Sequence, residues 1–241
     1  MLEVLSTQKI IKPKAVIFDT DNTLYLYEPA HKSAINAFIS KAVKSLKVDK
    51  KTLIETYNYS RIEIKKQLGN TASSHSRLLY FQRTIENLGF GTRIFLTLDL
   101  EQTYWREFLA NTRLFSGVQE FLIQLKNNGV KTANITDLTA QIQFRKMVYF
   151  KLDEYFDYVV TSEETGYDKP SVEPFNMALK KLNLSPQEVW MVGDDSINDI
   201  QGAKQAGIIT FQKVEKIIKT LDSDVVFDNF SDLCQYYINL N

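Results

Sequence analysis

The stretch FDTDNTLY, residues 18–25, follows the apolar run Ala15, Val16 and Ile17 and sets two aspartates, Asp19 and Asp21, two positions apart. A short apolar, β-branched run that ends in carboxylates reads as a strand buried on both faces, delivering its polar residues to one edge of a sheet. The same pattern recurs at 131–135, 158–161, 189–192, 208–211 and 224–227. Between these runs, residues 138–150, 173–182 and 197–206 have helical length and composition. The alternation predicts an α/β fold with a Rossmann-like, doubly wound parallel sheet and right-handed crossovers. Local signals agree: Ser116-Gly-Val-Gln119 and Ser185-Pro-Gln-Glu188 match the capping box, and Gly129 stands where a left-handed helix cap is wanted.

The interval between the first and second strands behaves differently. Residues 27–114 carry helical periodicity alone: Ile35, Phe38, Ala42 and Leu46 share one helix face, Leu78, Phe81, Ile85 and Leu88 another, and Tyr104, Trp105 and Phe108 mark a further helix. An ordinary crossover needs only about a dozen residues. The block therefore predicts an inserted helical-bundle domain, leaving residues 1–26 and 115–241 to the α/β domain.

Composition narrows the function. With 44% hydrophobic and 24% charged residues in 241, the chain can bury a large core, so disorder is expected only at the ends. Lys plus Arg and Asp plus Glu number 29 each, which leaves no basic field to draw in nucleic acid or anionic lipid. No apolar segment has membrane-spanning length, and the first residues lack a signal-peptide core. Cys234 is the only cysteine, which rules out an intramolecular disulfide and four-cysteine metal sites and fits a reducing compartment; a cytoplasmic protein is expected. His31 and His75 lie 44 positions apart without metal-ligand spacing, and read as surface or helical-domain residues. Neither GxGxxG nor a GxxxxGK[ST] loop is present, and Gly89-Phe-Gly91 reads as a helix stop.

In open parallel sheets ligands bind beyond the carboxyl ends of the strands, where the strand order reverses. The strand-end residues here are Asp19 and Asp21, Thr136 and Asp137, Lys169 and, after the next strand, Asp194 and Asp195, with Asp199 close behind. Converging carboxylates repel strongly at low effective dielectric, and a divalent cation resolves the conflict. Hard oxygen ligands without histidine or thiolate favour Mg2+. Phosphoryl transfer suits the remaining parts: Lys169 as cation, the Thr136 hydroxyl as donor, one carboxylate as nucleophile and a second as acid and base. Asp137 is expected to cap the following helix, and Asp199 has a capping reading of its own beside metal support.

Together these segments resemble the four signature motifs of the haloacid dehalogenase (HAD) superfamily, as Asp19-Thr-Asp21-Asn-Thr23-Leu24, Thr136 after Ala133-Asn-Ile135, Lys169 in GYDKPSVEPF, and VGDDSINDIQGAKQAG. They span nearly the whole α/β domain in the family's order. The resemblance implies subfamily I, with a helical C1 cap that closes over the site and selects substrate. It implies Asp19 as nucleophile, Asp21 as general acid and base, and Thr136 and Lys169 holding the phosphoryl group. Mg2+ would be held by Asp19, the Asp21 carbonyl and Asp194, with Asp195 or Asp199 in support. Dehalogenases of the superfamily lack an aspartate at the position of Asp21, so the chain is similar to the phosphatase and phosphomutase branches. Two positions depart from the pattern: Asp195 stands where serine is common, and Asp137 where asparagine is common. A phosphatase acting on a small phosphorylated metabolite, a nucleotide or sugar phosphate, is the expected activity; a phosphomutase is the alternative. A receiver-like phospho-acceptor module fits poorly, because the acceptor here ends the first strand and a long insertion follows. Within the insertion, SSHSRLLYFQ offers His75, Arg77 and Gln82 as substrate contacts near a helix start. Tyr25, Tyr27, Tyr57, Tyr59 and Tyr80 suit either ring stacking or packing, and monomer and homodimer are both compatible with the sequence.

Overall fold

A computed structural model describes residues 1–7, 9–215 and 222–240. The chain divides into two compact units, Met1–Leu26 with Arg113–Asn241, and Tyr27–Thr112. In the first, the described strands are β1 (Leu2–Val4), β2 (Ala15–Phe18), β3 (Lys131–Thr136), β4 (Tyr158–Thr161), β5 (Val189–Gly193), β6 (Ile209–Lys213) and β7 (Val225–Phe227). They form one sheet in the order β1-β7-β6-β5-β2-β3-β4, parallel except for β1, which pairs antiparallel with β7. From β2 the chain runs outward one way through β3 and β4 and the other way through β5, β6 and β7, so the order reverses at β2. The edge strand β1, Leu-Glu-Val, is only three residues long and its side chains are half-buried or exposed, too short a run for periodicity to mark it.

Alternation along the central strands sorts the core into two faces. Ala15, Ile17, Ala133, Ile135, Val189 and Met191 pack on one side with Phe175, Ala178 and Leu182 of the helix Val172–Leu182. On the other, Phe18 meets Phe121 edge-on at 6.0 Å, and Trp190 stacks on Phe211 at 4.1 Å and meets Tyr237 at 6.2 Å. Each large apolar side chain buried this way contributes roughly 1.5–3 kcal/mol.

The helices before and after each strand follow the sequence with three corrections. The helix Val118–Asn127 starts on Gly117 at φ 86° without a side-chain cap, so the capping box from Ser116 to Gln119 does not form. A Cβ at Gly117 would come within 2.8 Å of the Ser231 nitrogen, which adds close packing to the left-handed backbone as a reason for glycine. The box at 185–188 does form, with the Ser185 N–H donating to the Glu188 carboxylate at 3.0 Å, but around a single 3₁₀ turn, Pro186–Glu188. Residues 197–206 are not one helix: a π-type turn, Ser196–Gln201, precedes a short α-helix, Gly202–Gln205, and the Ile200 N–H reaches back to the Asp195 carbonyl at 3.1 Å. Gly129 takes φ 68° after its helix, as expected.

The second unit is helical throughout: α1 (Tyr27–Leu46), α2 (Lys50–Leu68), a 3₁₀ turn at Ala72–His75, α3 (Arg77–Asn87) and α4 (Ile94–Ala110). Helix α1 buries Ala30, Ala34, Phe38, Ala42 and Leu46, with Ile35 half-buried beside that stripe. Phe38 stacks on Phe81 of α3 at 4.1 Å, and Tyr104, Trp105 and Phe108 of α4 extend the aromatic core.

His31 lies within this packing. Its Nδ1 sits 2.7 Å from the Tyr104 hydroxyl, and its ring stacks on Tyr27 at 5.1 Å. Burial, helped by the Arg77 and Arg61 charges, lowers its pKa from 6.5 to about 4. The unfolded chain therefore binds this proton at a higher pH than the folded one, so the contribution of His31 to stability is fully present above pH 6.5 and is lost as the pH drops toward 4. His31→Gln removes this contribution, so the difference in urea midpoint between wild type and variant should shift steadily against the wild type as the pH falls from about 7 to about 4; a difference independent of pH would show that His31 takes up no proton on unfolding.

Candidate active site

The site is assembled at the carboxyl ends of β2, β3 and β5, at the strand-order reversal. Past β2 the backbone turns through Asn22, at φ 62°, and closes with the Leu24 N–H on the Thr20 carbonyl at 2.9 Å. Asp19 stays at the strand end, its N–H donating to the Val192 carbonyl of β5 at 2.9 Å. Thr20 points the other way and is buried; its hydroxyl oxygen accepts from Asn134 at 2.8 Å and Gln143 at 2.9 Å. Thr23 donates to Asp194 at 3.0 Å. The loop that carries both aspartates is thus tied down from β3, from the helix Ala140–Phe150 and from the residue after β5.

Lys169 is the centre of the charge network. Buried, with its side chain 3% exposed, it donates from Nζ to Asp19 Oδ1 at 2.7 Å and to Asp199 Oδ1 at 2.6 Å. Burial works against the ammonium, but Asp19, Asp199 and Asp137 outweigh it and hold its pKa well above that of an ordinary lysine. Its backbone N–H donates to Asp137 Oδ1 at 2.9 Å, and that same oxygen accepts from Ser162 at 3.3 Å. Asp137 therefore does not cap the following helix, whose first cap residue is Thr139; it fixes the segment that carries Lys169.

Asp19, Asp194 and Asp199 bring one carboxylate oxygen each within 4.8 Å of one another. The Lys169 ammonium bonds two of the three carboxylates, so these four groups, fully ionised, carry two excess negative charges. Burial raises the Asp19 pKa to about 7, with Lys169 opposing and Asp199 adding to the rise. Asp194 also rises to about 7, first from burial and then from the Asp19 charge. Asp199, fully buried, is raised for the same leading reason. Burial leads each of these shifts and the neighbouring carboxylates add to it, so a cation beside them would favour the ionised forms, and the all-oxygen donor set fits a hard divalent ion. Asp199 reaches the cluster because the π-type turn swings it inward, where its Oδ2 also accepts the Asp195 N–H at 3.1 Å. Asp195 is instead engaged as the cap of that turn, accepting from the Ile197 and Asn198 N–H groups at 2.9 and 2.8 Å.

Asp21 is held apart from this cluster. Its Oδ1 accepts from Lys146 Nζ at 2.7 Å and from the Tyr25 hydroxyl. Lys146 was not singled out in the sequence, because it falls at an inward position of a helix where an apolar residue is expected. Thr136, buried at the end of β3, completes the strand-end set.

In the helical unit, Arg77 donates to the His75 carbonyl at 2.6 Å, to the Tyr104 hydroxyl at 3.4 Å and to the Tyr27 hydroxyl. Its guanidinium also lies over the rings of Tyr80, Tyr104 and Trp105 at 5.5–5.8 Å. Gln82 is not part of this group; its amide donates to Glu86 one turn along α3 at 3.0 Å.

A lysine-bridged acidic cluster thus stands at the strand-order reversal, the place where open α/β sheets bind ligands. The description "haloacid dehalogenase-like hydrolase" matches residues 16–213, and the chain belongs to that family. It is an enzyme, a phosphoric monoester hydrolase of the HAD type. The chain is 39% identical over 197 residues to a ribulose-1,5-bisphosphate 5-phosphatase of Halopiger xanaduensis, covering 81% of this chain and 82% of the relative. It is 31% identical over 232 residues to a glyceraldehyde 3-phosphate phosphatase of Methanocaldococcus jannaschii, covering 94% and 92%. A HAD phosphatase from Thermococcus onnurineus superposes with a TM-score of 0.71 over 92% of this chain and 96% of its own, at 22% identity, and shares the fold.

Gly193 is the tightest point of the cluster, since a Cβ there would stand 2.4 Å from Asp199 Oδ2. Gly193→Ala should displace Asp199 from Lys169 and weaken divalent-cation binding about tenfold or more. Titration calorimetry with Mg2+ on both proteins checks this; equal affinities would show that Asp199 has no part in holding the ion.

Proposed function

We propose that the protein is a Mg2+-dependent phosphatase of a small sugar phosphate, working through an aspartyl-phosphate intermediate. The observation that carries this reading is the buried Asp19 carboxylate held 2.7 Å from Lys169 within an acidic cluster. A carboxylate fixed by one ammonium at Oδ1 keeps its other oxygen for attack on phosphorus, and Lys169 lies where charge builds on the phosphoryl oxygens. Thr136 contributes a donor to the same group. Asp21 gives its proton to the departing oxygen and then takes one from the water that hydrolyses the aspartyl phosphate, so the second step releases phosphate and restores both carboxyl groups.

Asp19, Asp194 and the Asp21 carbonyl would hold Mg2+, with Asp199 or Asp195 in support. When bound, the ion offsets the negative charge of the cluster and of the phosphoryl oxygens. The sugar phosphate class rests on the named activities of the relatives, and a helical unit with Arg77 set among phenols offers a cation for an anionic part of the substrate, beside His75. Gln82, paired with Glu86, is the weaker contact of the three. No helix among the described residues is long and apolar enough to cross a membrane. The single cysteine suits the cytoplasm as its place of action.

Asp19→Asn should lower turnover of a sugar phosphate by about 10³-fold or more, since the nucleophile is lost; phosphate release near the wild-type rate would end the assignment. Chelation with EDTA should silence the enzyme and added Mg2+ restore it, so hydrolysis that survives chelation would count against the metal. Arg77→Met should raise KM for a sugar bisphosphate by about tenfold, as expected for loss of a charged hydrogen bond, while sparing 4-nitrophenyl phosphate. An equal change for both esters would remove Arg77 from substrate selection.

A further inference from the structure

The helix Ala140–Phe150 buries Gln143, Lys146, Met147 and Phe150, so two of its inward positions are polar. Each gives up the roughly 1.5–3 kcal/mol that an apolar side chain would contribute there. Lysine is almost never fully buried unless paired, yet the Lys146 side chain is 1% exposed. Both polar residues reach the loop after β2. Gln143 donates to Thr20 at 2.9 Å and to Asn134 at 2.8 Å, whereas Lys146 donates to Asp21 Oδ1 at 2.7 Å and lies 5.7 Å from the Tyr25 ring. Tyr25 meets Asp21 at the same oxygen.

We propose that Lys146 is a positioning residue for proton transfer by Asp21: its ammonium and the Tyr25 hydroxyl bind Oδ1 and orient the carboxyl so that the proton is exchanged at Oδ2. The inference rests on the reading of Asp21 as general acid and base. As the phosphorus–oxygen bond of the ester breaks, its electron pair goes to the leaving oxygen, which takes the proton from Asp21 Oδ2. The negative charge that appears on Asp21 is met at 2.7 Å by the ammonium, which keeps its own protons. The geometry separates two duties: Lys169 serves Asp19 and the phosphoryl group, and Lys146 serves Asp21 and the leaving group.

The test uses the leaving group, because an alkoxide needs the proton and a nitrophenolate does not. For the full-length protein with Mg2+, kcat/KM reports only the steps through departure of that group. Lys146→Met keeps the chain length and removes the charge; it should lower kcat/KM for glycerol phosphate by about 30-fold, within the range of acid catalysis, and for 4-nitrophenyl phosphate by less than about threefold. In an Asp21→Asn background the same substitution should cause no further loss on glycerol phosphate. A merely structural lysine would lower both esters alike and add its effect to that of Asp21→Asn, and either result overturns the proposal. If Lys146→Met melts below the wild type, Tyr25→Phe removes only the hydroxyl from the same oxygen and should show the same split at smaller size; loss of equal size on both esters again overturns it. Wild-type protein that hydrolyses neither ester refutes the phosphatase reading and this inference with it, whereas an active wild type without the split refutes this inference alone.

Discussion

The structure turns on a charge imbalance that the chain maintains in its interior. Two buried carboxylates and a half-buried third gather at one ammonium, and Lys169 bonds Asp199 and Asp19 at 2.6 and 2.7 Å. Removing a charged partner from such a group is expected to cost several kcal/mol, about 3–5 in measured cases, whereas an apolar replacement of the whole set is often neutral or stabilising. Stability alone therefore gives no reason to keep these residues together. An acidic cluster at a strand-order reversal is consistent with a divalent-cation site, and burial, which raises Asp19 and Asp194 to about 7, makes a cation there favour their ionised forms.

Much of the surrounding architecture maintains that imbalance. Gly193 lets Asp199 approach the strand end, the π-type turn directs it inward, and Asp195 caps the turn so that its backbone is satisfied while the side chain of Asp199 reaches Lys169. Asp137 does the corresponding work for the lysine, anchoring its N–H. Asp137, which stands where the resemblance leads one to expect asparagine, thus supplies an acceptor to the segment that follows β4.

The fold was legible because its signal is redundant: six apolar runs, each ending in polar residues, permit few sheet arrangements, and a long helical interval cannot be a simple crossover. Strand ends were legible for the same reason, since Asp19, Thr136 and Asp194 lie where a strand must stop, while Lys169 lies in the segment to which β4 leads. What escaped was local. Gly117 replaces the capping box with a left-handed start packed against Ser231, and the turn after β5 is π-type where a regular helix is expected, an arrangement that goes with the contact of Asp199 to Lys169. Lys146 escaped for a different reason. A single lysine on a helix reads as a solvated residue, and only the register of the helix against the loop after β2 reveals that it faces inward.

That register gives the two aspartates of the opening stretch separate environments. Asp19 and Asp21 are two residues apart, close enough that without intervening cations their charges would favour one shared proton. Instead each carboxylate is given a buried lysine of its own, Lys169 from the segment after β4 and Lys146 from the helix before it. Strand alternation alone would put residues two apart on the same face, but the strand ends at Phe18 and the turn closed by the Leu24 N–H on the Thr20 carbonyl carries Asp21, so the two carboxylates meet different partners despite their spacing. An attacking group and a proton-transferring group need different charge states at the same moment of a reaction, and two carboxylates in one environment cannot supply them. Separate ammonium partners, placed by separate elements of the fold, are a physical means of dividing the work between residues that the sequence sets almost side by side.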